Sequence, residues 1–131
     1  MNQSFFLMPQ KVSTLVFVDD DKIQHMINRK NLQRISPELQ TFFFDNPYEA
    51  LDWLKGGSAD LLILDVNMPE MQGWDFLDHL QKIGNHIEVK MLTSSMDPMD
   101  VEMSKNYAQV SGFLVKPLTP QILTEILGLD S

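Results

Sequence analysis

Leu61-Leu62-Ile63-Leu64-Asp65-Val66-Asn67-Met68-Pro69 sets four consecutive aliphatic residues directly against a carboxylate. An unbroken apolar run of this kind, too short for a helix, suits a strand buried on both faces. Its end at Asp65 puts a charged side chain at the strand's C-terminal edge. Four further short runs flank it: Thr14–Val18 (TLVFV), Leu39–Phe44 (LQTFFF), Ile87–Leu92 (IEVKML) and Gly112–Val115 (GFLV). In chain order the first, third and fifth are nearly continuous and read as buried on both faces. The second and fourth are more mixed and read as lying nearer an edge or having one wetter face.

Helix-like segments separate the runs. Asp21–Ile35 carries Ile23, Met26, Ile27, Leu32 and Ile35 at roughly helical spacing. Asp45 or Asn46 caps a helix that starts at Pro47, buries Ala50, Leu51 and Leu54, and stops at Gly56-Gly57. Trp74–Ile83 offers Phe76, Leu77, Leu80 and Ile83 before Gly84. Asp97 caps a helix from Pro98 to about Tyr107, and Thr119 caps one from Pro120 that ends at Gly128. Strand and helix therefore alternate five times. Parallel neighbours need right-handed crossovers, so this alternation predicts a parallel sheet with helices on both faces.

The chain has 131 residues, the size of one domain, and 44% of them are apolar. It contains no Cys, which excludes disulfides, thiolate nucleophiles and zinc–thiolate sites. Eighteen acidic residues against ten basic ones give a net charge of −8. That argues against direct nucleic-acid binding, which needs a basic patch, and against anionic membranes. The apolar runs are far shorter than the roughly 20 residues of a membrane helix. Phe5-Phe6-Leu7-Met8 has no basic flank and reads as no secretory signal. These features predict a cytoplasmic domain over residues 13–131 after an N-terminal extension, 1–12, with no output domain.

Polar residues gather where the runs end: Asp19-Asp20-Asp21, Asp65 with Asn67, Thr93-Ser94-Ser95, and Lys116-Pro117. In an open parallel sheet these ends share one edge, where ligands bind. Crowded carboxylates repel one another unless a cation neutralises them. Oxygen ligands around an open position suit Mg²⁺, which completes its shell with water and phosphate. A lysine and a hydroxyl facing that ion are placed for phosphoryl oxygens, and a carboxylate can itself be the nucleophile.

Five ordered elements now carry a resemblance: Val18-Asp19-Asp20-Asp21, Leu64-Asp65-Val66-Asn67-Met68-Pro69, Gly73, Leu92-Thr93-Ser94, and Gly112-Phe113-Leu114-Val115-Lys116-Pro117. Over about residues 13–128 the chain resembles the receiver domain of two-component response regulators, in its single-domain, chemotaxis-type form. The resemblance implies a flavodoxin-like (βα)5 fold with strand order 2-1-3-4-5. It implies that Asp65 accepts a phosphoryl group from the phosphohistidine of a sensor histidine kinase or phosphotransfer protein. Asp20, Asp65 and the backbone carbonyl of Asn67 would hold Mg²⁺, with Asp19 assisting through water. Thr93 would donate to a phosphoryl oxygen, and Lys116 would pair with the phosphate or with Asp65 before phosphorylation. A cis Lys116–Pro117 peptide would aim the lysine inward, and Gly73 would relieve crowding. The switch aromatic is Phe113 rather than Tyr, so no ring hydroxyl takes part.

Such a protein is a signalling switch that promotes only its own phosphorylation and dephosphorylation. Its surface from residues 96–108, 112–116 and 119–127 would change affinity for a downstream protein, with a homodimer through that face as an alternative. Two rivals fit less well. A phosphatase resembling the haloacid-dehalogenase family needs an acid where Asn67 stands. A flavin binder needs a Ser/Thr/Gly-rich loop where three Asp stand. Met96, Met99, Met103 and Tyr107 form one stripe, and Val101, Ser104 and Ala108 a competing one. Either is a candidate for the buried face, and an exposed methionine stripe would suit an adaptable partner surface. Trp53 and Trp74 read as packing residues. The histidines read as surface residues, and His25 receives no role.

Overall fold

The computed structural model describes residues 12–129. The extension read over 1–12 thus lies, apart from Val12, outside the described residues. Five strands form one sheet: β1 (Thr14–Val18), β2 (Gln40–Phe44), β3 (Leu61–Asp65), β4 (Glu88–Thr93) and β5 (Val110–Val115). Their order is β2-β1-β3-β4-β5, and every neighbouring pair is parallel. The helices are α1 (Lys22–Ile35), α2 (Pro47–Gly56), α3 (Gly73–Lys82), α4 (Pro98–Ser104) and α5 (Pro120–Ile126).

Strand periodicity splits the core into two layers. Val16, Val18, Leu62, Leu64, Val89 and Met91 point to the side covered by Ala50, Leu51 and Leu54 of α2 and Phe76, Leu77 and Leu80 of α3. Leu15, Phe17, Leu61, Ile63 and Leu92 point the other way, against Leu32 of α1 and Leu123 beside Leu127 at the last helix. Local chemistry sets where helices start and stop. Asp21, Asn46, Asp97 and Thr119 each accept backbone N–H bonds as N-caps. Gly84 and Gly128 take positive φ just beyond α3 and α5, which glycine does without steric cost.

The structure corrects four expectations. β5 is an edge strand and only half-buried, against the burial on both faces read from its apolar content. β4 is interior, so of the two readings of its mixed composition the wetter face holds, with Glu88 exposed and Lys90 half-buried. The mixed composition of β4 has a local cause. Lys90 is tied down by Ser111 Oγ at 3.0 Å and by Glu88 at 3.7 Å, so an interior strand carries a lysine at no uncompensated cost. α4 ends at Ser104, not near Tyr107, and none of its residues is buried. Of the two competing stripes neither is inside: Met96, Met99, Met103 and Val101 are all exposed, and only Tyr107, beyond the helix end, is covered.

The fourth correction concerns α1. Its buried face is His25, Asn28 and Leu32. Ile23, Met26 and Ile27 point to solvent, Ile23 with 64% of its surface exposed. Leu32→Ala is expected to cost about 2–5 kcal/mol, while Ile23→Ala should stay within about 0.5 kcal/mol of wild type. Urea denaturation of both variants checks this; equal losses would mean that α1 sits in a different rotation.

Candidate functional site

β1 and β3 pair in register through Val18↔Leu64. The next residues along, Asp19 and Asp65, therefore leave the sheet side by side. Both are nearly sealed from solvent, at 3% and 4% exposure, while Asp20 is exposed. Asp19, Asp20 and Asp65 each bring a carboxylate oxygen to within 4.8 Å of the others. Lys116 follows the last residue of β5 and reaches across the end of β4. Its Nζ lies 3.1 Å from Asp19 Oδ2 and 3.1 Å from Asp65 Oδ2. Its backbone N–H donates to the Thr93 carbonyl at 2.8 Å, and the Lys116–Pro117 peptide is cis.

Each buried acid also turns the chain that follows it. Asp19 Oδ1 accepts the Asp21 N–H, and Asp65 Oδ1 accepts the Asn67 N–H, both at 3.1 Å. Carboxylates cap such turns readily. Gly73 comes up beneath the pocket, donating its N–H to the Val66 carbonyl at 2.8 Å. A Cβ there would stand 2.6 Å from the Asp65 carbonyl oxygen and 3.1 Å from Val66 Cα. Only glycine lets α3 begin this close to the acid-bearing loop.

Thr93 is buried at the end of β4, but its hydroxyl faces the following loop. It donates to the Ser95 carbonyl at 2.8 Å and accepts the Ser95 N–H at 3.3 Å. Phe113 is half-buried on β5, its ring edge toward Trp74 at 6.5 Å. Trp74 stacks on Tyr107 at 5.6 Å and points its Nε1 at Asp100 Oδ1, 3.4 Å away. Tyr107 donates to Asp78 at 2.9 Å; burial, then that acceptor, pushes its phenol up to about 12. The structure thus brings Asp19, Asp20, Asp65 and Lys116 into one pocket. Thr93 and Phe113 sit beside it with their side chains engaged elsewhere.

Three acids facing one ammonium leave the pocket short of positive charge. Burial, then the Asp19 carboxyl beside it, raises Asp65 to about 6, against the pull of Lys116 and the Asn67 N–H. Asp20 is raised too, by the burial it has and by the charge of Asp19. Burial lowers the Lys116 ammonium, but Asp19 and Asp65 outweigh it and its net shift is upward. Hard oxygen donors, clustered and under-neutralised, are the donor set of a small divalent cation. The residues present fit Mg²⁺.

Sequence reasoning missed His25. The residue is 6% exposed, and its ring bonds to the main chain at Asp19. A signal was there: His25 lies seven residues before Leu32, on the same helical face.

Asp65 holds its proton more tightly in the fold, at about 6, than a free aspartate carboxyl does at 3.8. A raised carboxyl favours folding only while protonated. The contribution of Asp65 to the stability of the metal-free protein therefore falls as pH rises from 3.8 to about 6. Asp65→Asn carries no charge to bury. In EDTA above pH ~6 it is expected to be about 1–3 kcal/mol more stable than wild type. The gain should vanish at pH values below the 3.8 of a free carboxyl. Thermal denaturation across that pH range checks it, and a pH-independent difference would contradict the assignment.

Comparison with known proteins agrees with this geometry. The profile of the response regulator receiver domain matches residues 15–128. Chemotaxis protein CheY-3 of Vibrio cholerae is 34% identical over 115 residues, which is 86% of this chain and 87% of that protein. The cyclic di-GMP phosphodiesterase response regulator RpfG of Xanthomonas campestris is 34% identical over 110 residues; the aligned part is 83% of this chain but only 29% of that protein. The crystallised chemotaxis protein CheY4 of Vibrio cholerae superposes with a TM-score of 0.74 at 29% identity, covering 88% of this chain and 95% of that one. On sequence, strand order and the residues at the strand ends, the chain belongs to the response regulator receiver domain family.

Proposed function

We propose that this receiver is a phospho-accepting switch that takes a phosphoryl group onto Asp65 from the phosphohistidine of a sensor histidine kinase or phosphotransfer protein. The observation that carries this reading is the buried Asp65 carboxylate held between Asp19 and Lys116. It is positioned, desolvated and short of counter-charge. One Asp65 oxygen attacks phosphorus as the P–N bond to the donor imidazole breaks. The bonding pair stays on the imidazole nitrogen, which takes a proton from solvent. Positioning and charge neutralisation supply most of the catalysis in such transfers.

Asp20, Asp65 and the Asn67 carbonyl would hold Mg²⁺, with Asp19 assisting through water; when bound, the ion would neutralise developing charge on the phosphoryl oxygens. Lys116 would move from its bridge between Asp19 and Asp65 onto a phosphoryl oxygen. Thr93 would give up the Ser95 carbonyl and donate to another. That exchange draws in the loop from Thr93 to Ser95 and frees space for Phe113 to turn. The surface made by α4, β5 and α5 then changes its affinity for a downstream protein, or for a second copy of the chain.

In this reading the protein turns over no separate substrate and works in the cytoplasm with its kinase. The net charge of −8 supports a protein partner over nucleic acid. No helix among the described residues is long and apolar enough to cross a membrane.

Incubation with radiolabelled acetyl phosphate or a phosphorylated histidine donor and Mg²⁺ tests the proposal. Wild type should take up acid-stable, alkali-labile label. EDTA or Asp65→Asn should abolish it, and Lys116→Ala should slow it by roughly 10²-fold or more, as loss of an electrostatic stabiliser does. Wild-type labelling of Asp65→Asn would refute the assignment.

A further inference from the structure

We propose that His25 is a positioning residue for the acid pocket: its Nε2–H fixes the peptide that joins Asp19 to Asp20 and so sets the spacing of the two carboxylates. The proposal rests on the reading of that pocket as a Mg²⁺-dependent phospho-acceptor site.

His25 stands on the first turn of α1, and its Nε2 lies 2.7 Å from the Asp19 carbonyl oxygen and 3.1 Å from that of Phe44. Both partners are acceptors, so Nε2 carries the hydrogen and donates to both. The position of these carbonyls matters. Val18↔Phe44 is the last pair of the β1–β2 ladder, and the Asp19 N–H still reaches the Phe44 carbonyl at 3.1 Å. The next carbonyl, that of Asp19, has no strand left to bond with and is buried. A buried carbonyl needs a donor, and His25 supplies it from the following helix.

That carbonyl belongs to the Asp19–Asp20 peptide, which is planar. Holding its oxygen fixes the direction in which the chain leaves for Asp20. The constraint is needed because Asp19, Asp20 and Asp65 crowd within 4.8 Å and push one another apart. Without the donor, the peptide is free to turn toward water and carry the exposed Asp20 outward.

The ring itself is locked. Its edge meets Phe43 at 5.3 Å and Phe17 at 6.5 Å, and those two rings stack at 4.9 Å. Its other nitrogen, Nδ1, is buried with no partner, as is Asn28 Oδ1 on the same face. Unsatisfied buried nitrogen is costly, so packing alone would favour an apolar ring here. What histidine adds over phenylalanine is the one bonded atom, Nε2, and its bond goes to the pocket's main chain.

Three variants separate positioning from mere packing. His25→Phe keeps the ring and removes the donor. His25→Gln places an amide N–H near the Nε2 position, and His25→Asn is too short to reach it. Mg²⁺ affinity is measured by isothermal titration calorimetry, and amide hydrogen exchange at Asp20 and Asp21 is followed in the metal-free protein. Phe and Asn are expected to weaken Mg²⁺ about tenfold, or about 1.4 kcal/mol, with Gln within about twofold of wild type. Exchange at Asp20 and Asp21 should speed up in the same two variants, and Asp65 labelling should recover at saturating Mg²⁺. Wild-type Mg²⁺ affinity and exchange in His25→Phe overturns the proposal, as does a Gln variant no better than Asn. If His25→Phe does not fold, the Asn–Gln contrast decides alone. Wild type that neither binds Mg²⁺ nor takes label brings down the site reading as well; wild type that does both beside an unaffected Phe variant brings down only the role of His25.

Discussion

Three carboxylates share one ammonium at the C-terminal edge of the sheet, and the rest of the molecule is arranged around that imbalance. Lys116 Nζ bridges Asp19 and Asp65 at 3.1 Å each, and among the described residues no ion pair engages Asp20. Buried like charges are tolerated only when the surroundings hold them in place. The β1–β3 register holds Asp19 and Asp65, the Asn67 and Asp21 amides hold their outer oxygens, and the tight approach at Gly73 closes the floor. A dication or phosphoryl group entering this pocket would therefore meet a preorganised set of groups and change its charge balance.

The elements beside the pocket are held more loosely. β1, β3 and most of β4 are sealed on both faces, whereas α4 buries none of its residues. Polar and aromatic contacts tether the α4 region: Trp74 to Asp100, Tyr107 to Asp78, and the Trp74–Tyr107 stack. Segments with little buried apolar area open and shift at low cost. A firm pocket thus lies next to a weakly packed helix, the pairing that the proposed switching through Thr93 would use. Met99, exposed over 78% of its surface, gives that helix an adaptable outer face.

Much of this is legible in the amino-acid sequence. The aliphatic run before Asp65 gives β3, and the caps at Asp21, Asn46, Asp97 and Thr119 mark four helix starts. Pattern reading failed where composition and position diverge. GFLV is apolar enough for an interior strand, yet β5 lies at the edge, while β4 carries Glu88 and Lys90 and lies inside. The apolar side chains early in α1 pointed to the wrong face, because Ile23, Met26 and Ile27 are exposed and His25 and Asn28 are buried. Hydrophobic periodicity has no term for a buried histidine whose partner is a main-chain carbonyl six residues earlier.

The amino-acid sequence by itself determined the alternation of strand and helix, the parallel sheet that alternation requires, and the carboxylates, hydroxyl and lysine at the strand ends, because each follows from local periodicity and capping. Only the tertiary structure decided how those groups meet: that Lys116 crosses the end of β4 to reach both buried acids, that the Thr93 hydroxyl is engaged with Ser95, and that α1 turns His25 inward onto Asp19. These depend on strand register and helix rotation, which are set by contacts between residues far apart in the chain.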